Sequence, residues 1–343
     1  MMSTEPDSTF EDSTETTPVE IGHTIGSSMT SSLRGAGFYF QYAVLVVGIV
    51  GAATNGLVLY AMLASKQHKK HVLIFNQNVF DLVNCLNVIA RFSVIIRGIY
   101  LSGSGGYWLC LAILSSAGSY ATLVGSLINL AAVSIERYLK VVHHVWAKKK
   151  LRNWMIYSVI AFAWISGIVI AAAVIIPTTA VVNGVCYPIM FFSSTAGRKV
   201  YALWDFISFY VITLLIFFFC YGRILMAVRR QAKVMAAHGT GGSNAAQDQS
   251  NKMQTSVIKT MILVSGLFAI TAAPVFMYSL YYTFHPQLTV DQNGLYALMS
   301  TAYIYVCTNP FIYATKFDPV KRVLLGLIPY KKNTEPSESV NNT

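Results

Sequence analysis

Five polar side chains, Asn55, Asp81, Ser126, Asn129 and Asn309, fall inside long apolar stretches of this 343-residue chain. If they converge, Asp81 is the one charge of the cluster. A carboxylate beside hydroxyl and amide oxygens suits a hard cation such as sodium, or a proton, whose occupancy differs between two conformations. The same residues suit a plain polar network that fastens helices together, and residue types alone do not separate the two readings. Glu136-Arg137-Tyr138 sets an acid beside a permanently charged guanidinium at the end of an apolar run, either a functional pair or an arginine that snorkels to an interface. Asn309-Pro310-Phe311-Ile312-Tyr313 and, separately, Pro274 each remove a backbone donor from an apolar run, which makes a hinge or a static kink. Arg91 and Asp205 are also ionisable and lie within apolar sequence. A central charge in a membrane costs roughly 2.5–3.5 kcal/mol on insertion scales, so each of these residues marks a candidate functional position.

Positioning these groups requires the elements that carry them. With 55% hydrophobic and 11% charged residues and a mean hydropathy of +0.53, the chain has more apolar surface than one soluble core hides. Stretches of about 20 or more mostly apolar residues, enough to cross ~30 Å of hydrocarbon, lie at 38–64, 73–99, 108–141, 154–177, 200–229, 256–284 and 294–315. They lack the alternating signal of a barrel and read as helices. The fold class is therefore an all-α membrane protein, a seven-transmembrane helix bundle. Beyond the last span, Phe317, Val320, Val323, Leu324 and Leu327 recur at helical spacing beside Lys321 and Arg322, which predicts a short amphipathic helix on the membrane surface.

The formal charge of +11 sits in short clusters between apolar runs, a pattern for anionic membrane surfaces and an inner partner rather than nucleic acid. Lys66, Lys69 and Lys70, then Lys148, Lys149, Lys150 and Arg152, then Arg229, Arg230 and Lys233 mark three cytoplasmic loops, and the acidic N-terminal segment lies outside. The expected organisation is a disordered extracellular segment over 1–37, the bundle over 38–315, and the amphipathic helix with a cytoplasmic tail over 316–343. The stretch His238–Ser250 also reads as disordered. No cleavable signal peptide of the usual form is expected, and the first span serves as the insertion signal.

Taken together, Asn55, Asp81, Glu136-Arg137-Tyr138, Trp164, Tyr221, Phe268, Pro274, Asn309, Pro310 and Tyr313 resemble, in order and spacing over essentially the whole chain, the signature of rhodopsin-like (class A) G-protein-coupled receptors. The resemblance implies that Glu136 holds Arg137 at rest, and that on activation Arg137 swings toward Tyr221 and the G protein while Tyr313 joins the rearranged inner core. It implies an allosteric sodium ion at Asp81, Ser126 and Asn309, the one cofactor-like group expected. It also implies a disulfide between Cys110 and Cys186, with Cys85, Cys220 and Cys307 as packing residues.

The chain departs from that pattern in several places. Ala272 stands where a helix-six tryptophan is usual, so the usual toggle is absent. Helix five has Thr213 where a proline is expected, so the bulge found there in relatives is expected to be missing or displaced. Cys110 lies farther before Arg137 than is usual, which predicts an irregular turn near Ser116–Gly118 or a shifted outer end. Gln254 lacks the charge for a salt bridge to Arg137.

Ser119 replaces the aspartate of amine receptors, and Tyr303 the lysine that binds retinal in opsins. Neither an ordinary amine receptor nor a light sensor is expected. Arg91 lies roughly 15 Å along its helix from Asp81, at pocket depth. It either binds an anion, with Ser119, Tyr120, Asp205 and Tyr303 adding polar contacts, or snorkels or pairs with Asp205. A peptide gripping Val181–Lys199 is equally compatible.

The expected function is transduction of an extracellular ligand, small molecule or peptide, into activation of a heterotrimeric G protein at the plasma membrane. The alternatives are a receptor fold that no longer switches and an ion transporter or channel, and the latter predicts a symmetry or polar stripe not seen. No enzyme is expected, since the spans carry no HExxH motif or Ser/Asp catalytic set and the adjacent His143 and His144 do not share one helical face.

Overall fold

The computed structural model describes residues 36–187, 194–237, 245–285 and 292–327, with backbone alone at 36, 232–237, 245–254, 292–296, 299, 306, 307, 318, 319 and 327. Helix one spans Ala36–Ala64 and helix two Val72–Ile96. Helix three runs over Gly103–Val142, a short inner-loop helix over His144–Lys150, and helix four over Asn153–Thr178. Helix five comprises Thr195–Asp205, a wide π turn Phe206–Val211, and Ile212–Ala237. Helix six is Ala245–Phe284, helix seven Gln292–Lys316, and a terminal helix covers Asp318–Leu327. Six of these are long and apolar enough to cross a membrane among the described residues. Helix seven closes the ring by packing between helices six and one.

The seven spans lie within a few residues of the stretches read from hydropathy, except that helices five and six run on at the basic end. Residues 245–250, expected to be unstructured, are helical; Ala245, Ala246, Gln247 and Gln249 are good helix formers and extend helix six by propensity. The rest of that stretch, 238–244, lies outside the described residues, as do 1–35 of the N-terminal segment. The terminal helix forms where predicted and packs on helices one and seven through buried Phe317 and Val320.

Two irregularities interrupt the spans. Helix three winds a π turn at Cys110–Leu114, then breaks at Ser116, whose φ of 67° is left-handed, before resuming at Ala117. A π turn takes up an extra residue without ending a helix, which accounts for the long interval between Cys110 and Arg137. Of the two expectations for helix five, a bulge missing or displaced, the first is corrected: a π turn at Phe206–Val211 lies just ahead of Thr213 without a proline, with Phe209 buried and Tyr210 stacked on Phe276 at 5.2 Å.

A β-hairpin that the hydropathy reading did not anticipate follows helix four, with β1 Ala180–Val182 antiparallel to β2 Val185–Tyr187 and Val181 opposite Cys186. Its turn is Asn183-Gly184, with φ of 51° and 76°, the pair favoured when both central residues of a two-residue turn must be left-handed. The sequence signal was present in Asn-Gly between valines. The Cys110–Cys186 disulfide ties the hairpin to helix three.

Helices three and four meet through small residues. A Cβ on Gly167 would lie 2.2 Å from the Ala121 carbonyl oxygen, and one on Gly125 would lie 2.5 Å from the Phe80 ring. Without lipid-water contrast to drive association, such close backbone approach is what holds apolar helices together. Outward faces stay apolar, as with Phe162, Ile165 and Phe218. We therefore expect Gly167→Ala to destabilise the detergent-solubilised protein by about 1–3 kcal/mol of overpacking. Gly56→Ala, which meets nothing within 4 Å, leaves the melting temperature unchanged in the same thermal-shift measurement.

Candidate functional site

A buried amide network joins helices two, three, four and seven. Asn129, fully buried, donates through Nδ2 to the Leu73 carbonyl at 3.0 Å and to Gln77 Oε1 at 2.8 Å, and accepts from Asn76 Nδ2 at 3.0 Å. Gln77 Nε2 donates to Ser126 Oγ at 2.5 Å. Trp164 Nε1 donates to Asn76 Oδ1 at 3.1 Å and stacks on Phe80 at 4.1 Å. Asp81, 2% exposed, accepts from Asn309 Nδ2 at 2.9 Å, which connects helices two and seven. Of the expected cluster, Asp81 and Asn309 meet directly, and Ser126 and Asn129 are both held by Gln77. Asn55 donates to the Gly51 carbonyl of its own helix at 2.9 Å and reaches Cys85 Sγ of helix two at 4.0 Å. Asn76 and Gln77 were not singled out from sequence, although Gln77 lies one helical turn before Asp81 on the same face.

At the basic end, Arg137 Nη2 lies 2.9 Å from Glu136 Oε2, and the other oxygen, Oε1, is 2.5 Å from Lys140 Nζ. Arg137 Nη2 also meets His71 Nδ1 at 3.2 Å. A guanidinium only donates, so Nδ1 is the acceptor and the imidazole carries its proton on Nε2. Tyr138 instead faces His143 Nε2, with its hydroxyl at 3.0 Å. Tyr221 reaches Ser134 Oγ at 2.9 Å and accepts from Ser265 Oγ at 3.2 Å, so its hydroxyl bridges helices three and six. Ser256 Oγ donates to the Lys316 carbonyl, a second tie from helix six, to helix seven. Tyr313 is buried beside this seam in the same apolar cluster. The side chain of Gln254 lies outside the described residues. His71, Ser134 and Ser265 escaped the sequence reading because single serines and histidines carry no spacing signal.

Ala272 is partly buried against the core cluster that holds Phe268, one helical turn earlier. Phe268, 1% exposed, packs edge-on against Tyr305 at 5.6 Å and Phe217 at 6.1 Å. Pro274 lacks the N–H that would bond the Ile270 carbonyl. On either side of that carbonyl, Tyr210 of helix five donates to the Ala269 carbonyl at 3.2 Å and Thr301 of helix seven to the Thr271 carbonyl at 3.1 Å. Pro310 is buried within helix seven.

At the opposite end, Tyr120 donates to Asp205 Oδ1 at 2.8 Å and meets the Tyr201 hydroxyl at 2.7 Å. Arg91 Nη1 donates to Ser116 Oγ, at the break in helix three. Arg91 and Asp205 form no ion pair among the described residues. Tyr303 packs edge-on against Phe92 at 5.9 Å, and Ser119 contributes its carbonyl to Thr122 at 3.0 Å. The Ser116 break falls where the sequence predicted an irregular turn, and Asn87, which the sequence reading did not single out, also shapes this region, since a Cβ on Gly118 would lie 2.6 Å from Asn87 Oδ1.

Seven packed helices, a disulfide from helix three to the hairpin, and a charge pair ending helix three define a membrane receptor architecture. The chain belongs to the 7 transmembrane receptor (rhodopsin family), whose sequence model matches residues 54–313. It is therefore a rhodopsin-like G-protein-coupled receptor and not an enzyme. It is similar to rhodopsin of Todarodes pacificus, 24% identical over 83% of this chain and 65% of the relative. It is likewise similar to Opsin-1, short-wave-sensitive 1, of Danio rerio, 24% identical over 89% of each. The substance-K receptor of Mus musculus is 23% identical over 79% of this chain and 70% of its own length. The crystal structure of squid rhodopsin superposes with a TM-score of 0.69 at 22% identity, over 85% of both chains.

His71 precedes the first turn of helix two, and burial, followed by the nearby charges of Arg137, Lys140 and Lys70, pushes its pKa down to about 3. An unfolded histidine titrates near 6.5. Between those two values the unfolded chain binds a proton that the folded one excludes, so the stability is fully present above about pH 6.5 and falls as pH drops toward 3. We expect His71→Gln, which keeps an acceptor for Arg137, to flatten the loss of thermal stability below pH 6.5. The difference is about 1.4 kcal/mol per pH unit at most, read from melting temperatures of the solubilised protein between pH 7.5 and 4.5.

Proposed function

We propose that this receptor sits in the plasma membrane with its N-terminus outside and converts binding of an extracellular ligand into activation of a heterotrimeric G protein. The observation that carries the reading is the buried Glu136–Arg137 pair, 2.9 Å apart, beside a seam of helices three and six that the Tyr221 hydroxyl bridges. An always-charged side chain only 7% exposed is held by groups it can exchange, and a seam closed by neutral hydrogen bonds opens at a cost of roughly 0.5–1.5 kcal/mol each. A ligand that binds the open form more tightly shifts the population by its difference in affinity. Helix six would then swing about Pro274, Arg137 would turn toward Tyr221, and Tyr313 would join the opened core for the partner to enter. The neutral bridges at Tyr221 supply part of the hold that an acid at position 254 provides elsewhere.

The ligand contacts Arg91, Ser119, Tyr120, Asp205 and Tyr303 in this reading, with an anionic group on Arg91. Arg91 Nε is buried without a partner among the described residues, which leaves a donor for a carboxylate. The likeness to opsins does not extend to retinal, since Tyr303 offers no amine. Asp81, Ser126 and Asn309 fit a sodium ion by donor type: all are buried oxygens, and Asn309 Oδ1 has no partner among the described residues. Bound there, the ion would neutralise Asp81 and favour the closed form.

Ligand-free G-protein activation in cells, compared at matched surface levels across the main G-protein families, tests the reading. We expect Arg137→Ala to lower basal signal at least tenfold in the coupled family, and replacing sodium by potassium in membranes to raise wild-type signal but not that of Asp81→Asn. Equal signals from wild type and Arg137→Ala would refute switching through this residue. For any small-molecule agonist bearing an anion, Arg91→Ala should weaken potency at least tenfold in a concentration-response assay, and unchanged potency for every agonist would remove Arg91 from the pocket.

A further inference from the structure

The basic end of the bundle holds a cavity of about 450 Å³ between the start of helix two, the end of helix three, the inner-loop helix and the start of helix four. Its polar wall includes Lys70, His71, Arg137, Lys140, His144 and Lys148. The nearby acid is already engaged, since Glu136 is shared by Arg137 and Lys140. Two buried atoms on this wall, His71 Nε2 and Arg137 Nε, have no partner among the described residues. Both are N–H donors, the first because His71 Nδ1 is taken by Arg137. A concave site rich in cations with two orphaned buried donors lacks one thing, an anion with several acceptor oxygens, and phosphate has that chemistry.

A second cavity of about 490 Å³ lies against the first on the lipid-facing side of helices three, four and five. Its wall is almost wholly apolar, with Leu139, Met155, Val159, Phe162, Ile212 and Ile216. Leu151 and Ile156 belong to both walls, so a polar chamber and an apolar groove adjoin at those two side chains. A free phosphate or phosphorylated peptide uses only the first. An amphiphile uses both.

We propose that the two cavities together hold one anionic phospholipid, with a multiply phosphorylated headgroup among Lys70, His71, Arg137 and Lys148 and an acyl chain along the groove past Leu151 and Ile156. The assignment rests on the reading of the basic end as the inner face, where anionic lipids draw juxtamembrane lysines. A headgroup accepting from Arg137 Nε holds the guanidinium against Glu136, so lipid occupancy opposes the swing of Arg137 and tunes basal activity.

The test uses the full-length receptor in phosphatidylcholine nanodiscs, titrated with fluorescent phosphatidylinositol bisphosphate or fluorescent phosphatidylcholine, with inositol trisphosphate and inorganic phosphate as soluble competitors. We expect the phosphorylated lipid to bind at least tenfold more tightly than phosphatidylcholine. Lys70→Gln/Lys148→Gln, a change of two exposed side chains, should lower that affinity about tenfold with an unchanged melting temperature. Ile156→Trp, at the junction, should weaken the lipid while leaving soluble phosphate unaffected. No preference over phosphatidylcholine, or full affinity in the double variant, overturns the site. Displacement by inositol trisphosphate as efficient as by the lipid itself overturns the groove and leaves a soluble-anion site. Binding is read without G protein, so its failure leaves the receptor reading intact, and a loss of Arg137-dependent signalling would leave the lipid result standing.

Discussion

Asn129 directs all three of its side-chain hydrogen bonds to helix two, and the register of the bundle depends on them. In a bilayer no water competes for these amides and no other partner satisfies them, so sliding helix three along helix two would orphan several buried groups at once. From that hub the bonds run to Ser126 through Gln77 and to helix four through Asn76 and Trp164, while Asp81 reaches helix seven through Asn309. Close backbone approach at Gly125 and Gly167 follows from the same register, because the small residues must face one another for helix four to seat.

The half of the molecule that would move is held differently. Helix six is fastened by hydroxyl bridges at Tyr221, Ser256, Tyr210 and Thr301 rather than by an interlocked amide network. Each is a single neutral bond near a helix that Pro274 has already loosened. The contrast between a registered frame of helices two, three, four and seven and a lightly tied helix six is the physical basis for assigning motion to one side of the bundle. Phe268 and Phe276, one turn before and one turn after Ala272, pack on Tyr305, Phe217 and Tyr210, so aromatic contacts tie helix six to helices five and seven on both sides of that position.

Charge is segregated along the membrane normal, and this shapes both ends. Glu136 is shared between Arg137 and Lys140, leaving the basic cavity with more donors than acceptors. At the far end Asp205 is held by Tyr120, while Arg91 turns to Ser116 at the break in helix three, where Ser116 is left-handed. The two outer charges therefore take separate partners and form no ion pair with each other among the described residues.

The seven spans were legible in hydropathy, because crossing a fixed thickness of hydrocarbon demands a fixed length of apolar sequence, and the terminal helix in the helical spacing of Phe317, Val320, Val323 and Leu324. The motif residues Asp81, Arg137, Tyr221, Pro274 and Asn309 were legible for a related reason: a polar group or a proline inside such a span stands out against its surroundings. The hairpin was legible in Asn183-Gly184, though hydropathy gave no hint of it. Only the tertiary structure decided which polar groups meet, as when Gln77 linked Asn129 to Ser126 and Asn76 joined Asn129 to Trp164. It also decided that helix five bulges without a proline and that His71 caps Arg137. These depend on helix rotation and depth, which are set by side chains from several helices at once and leave no periodicity in any one of them.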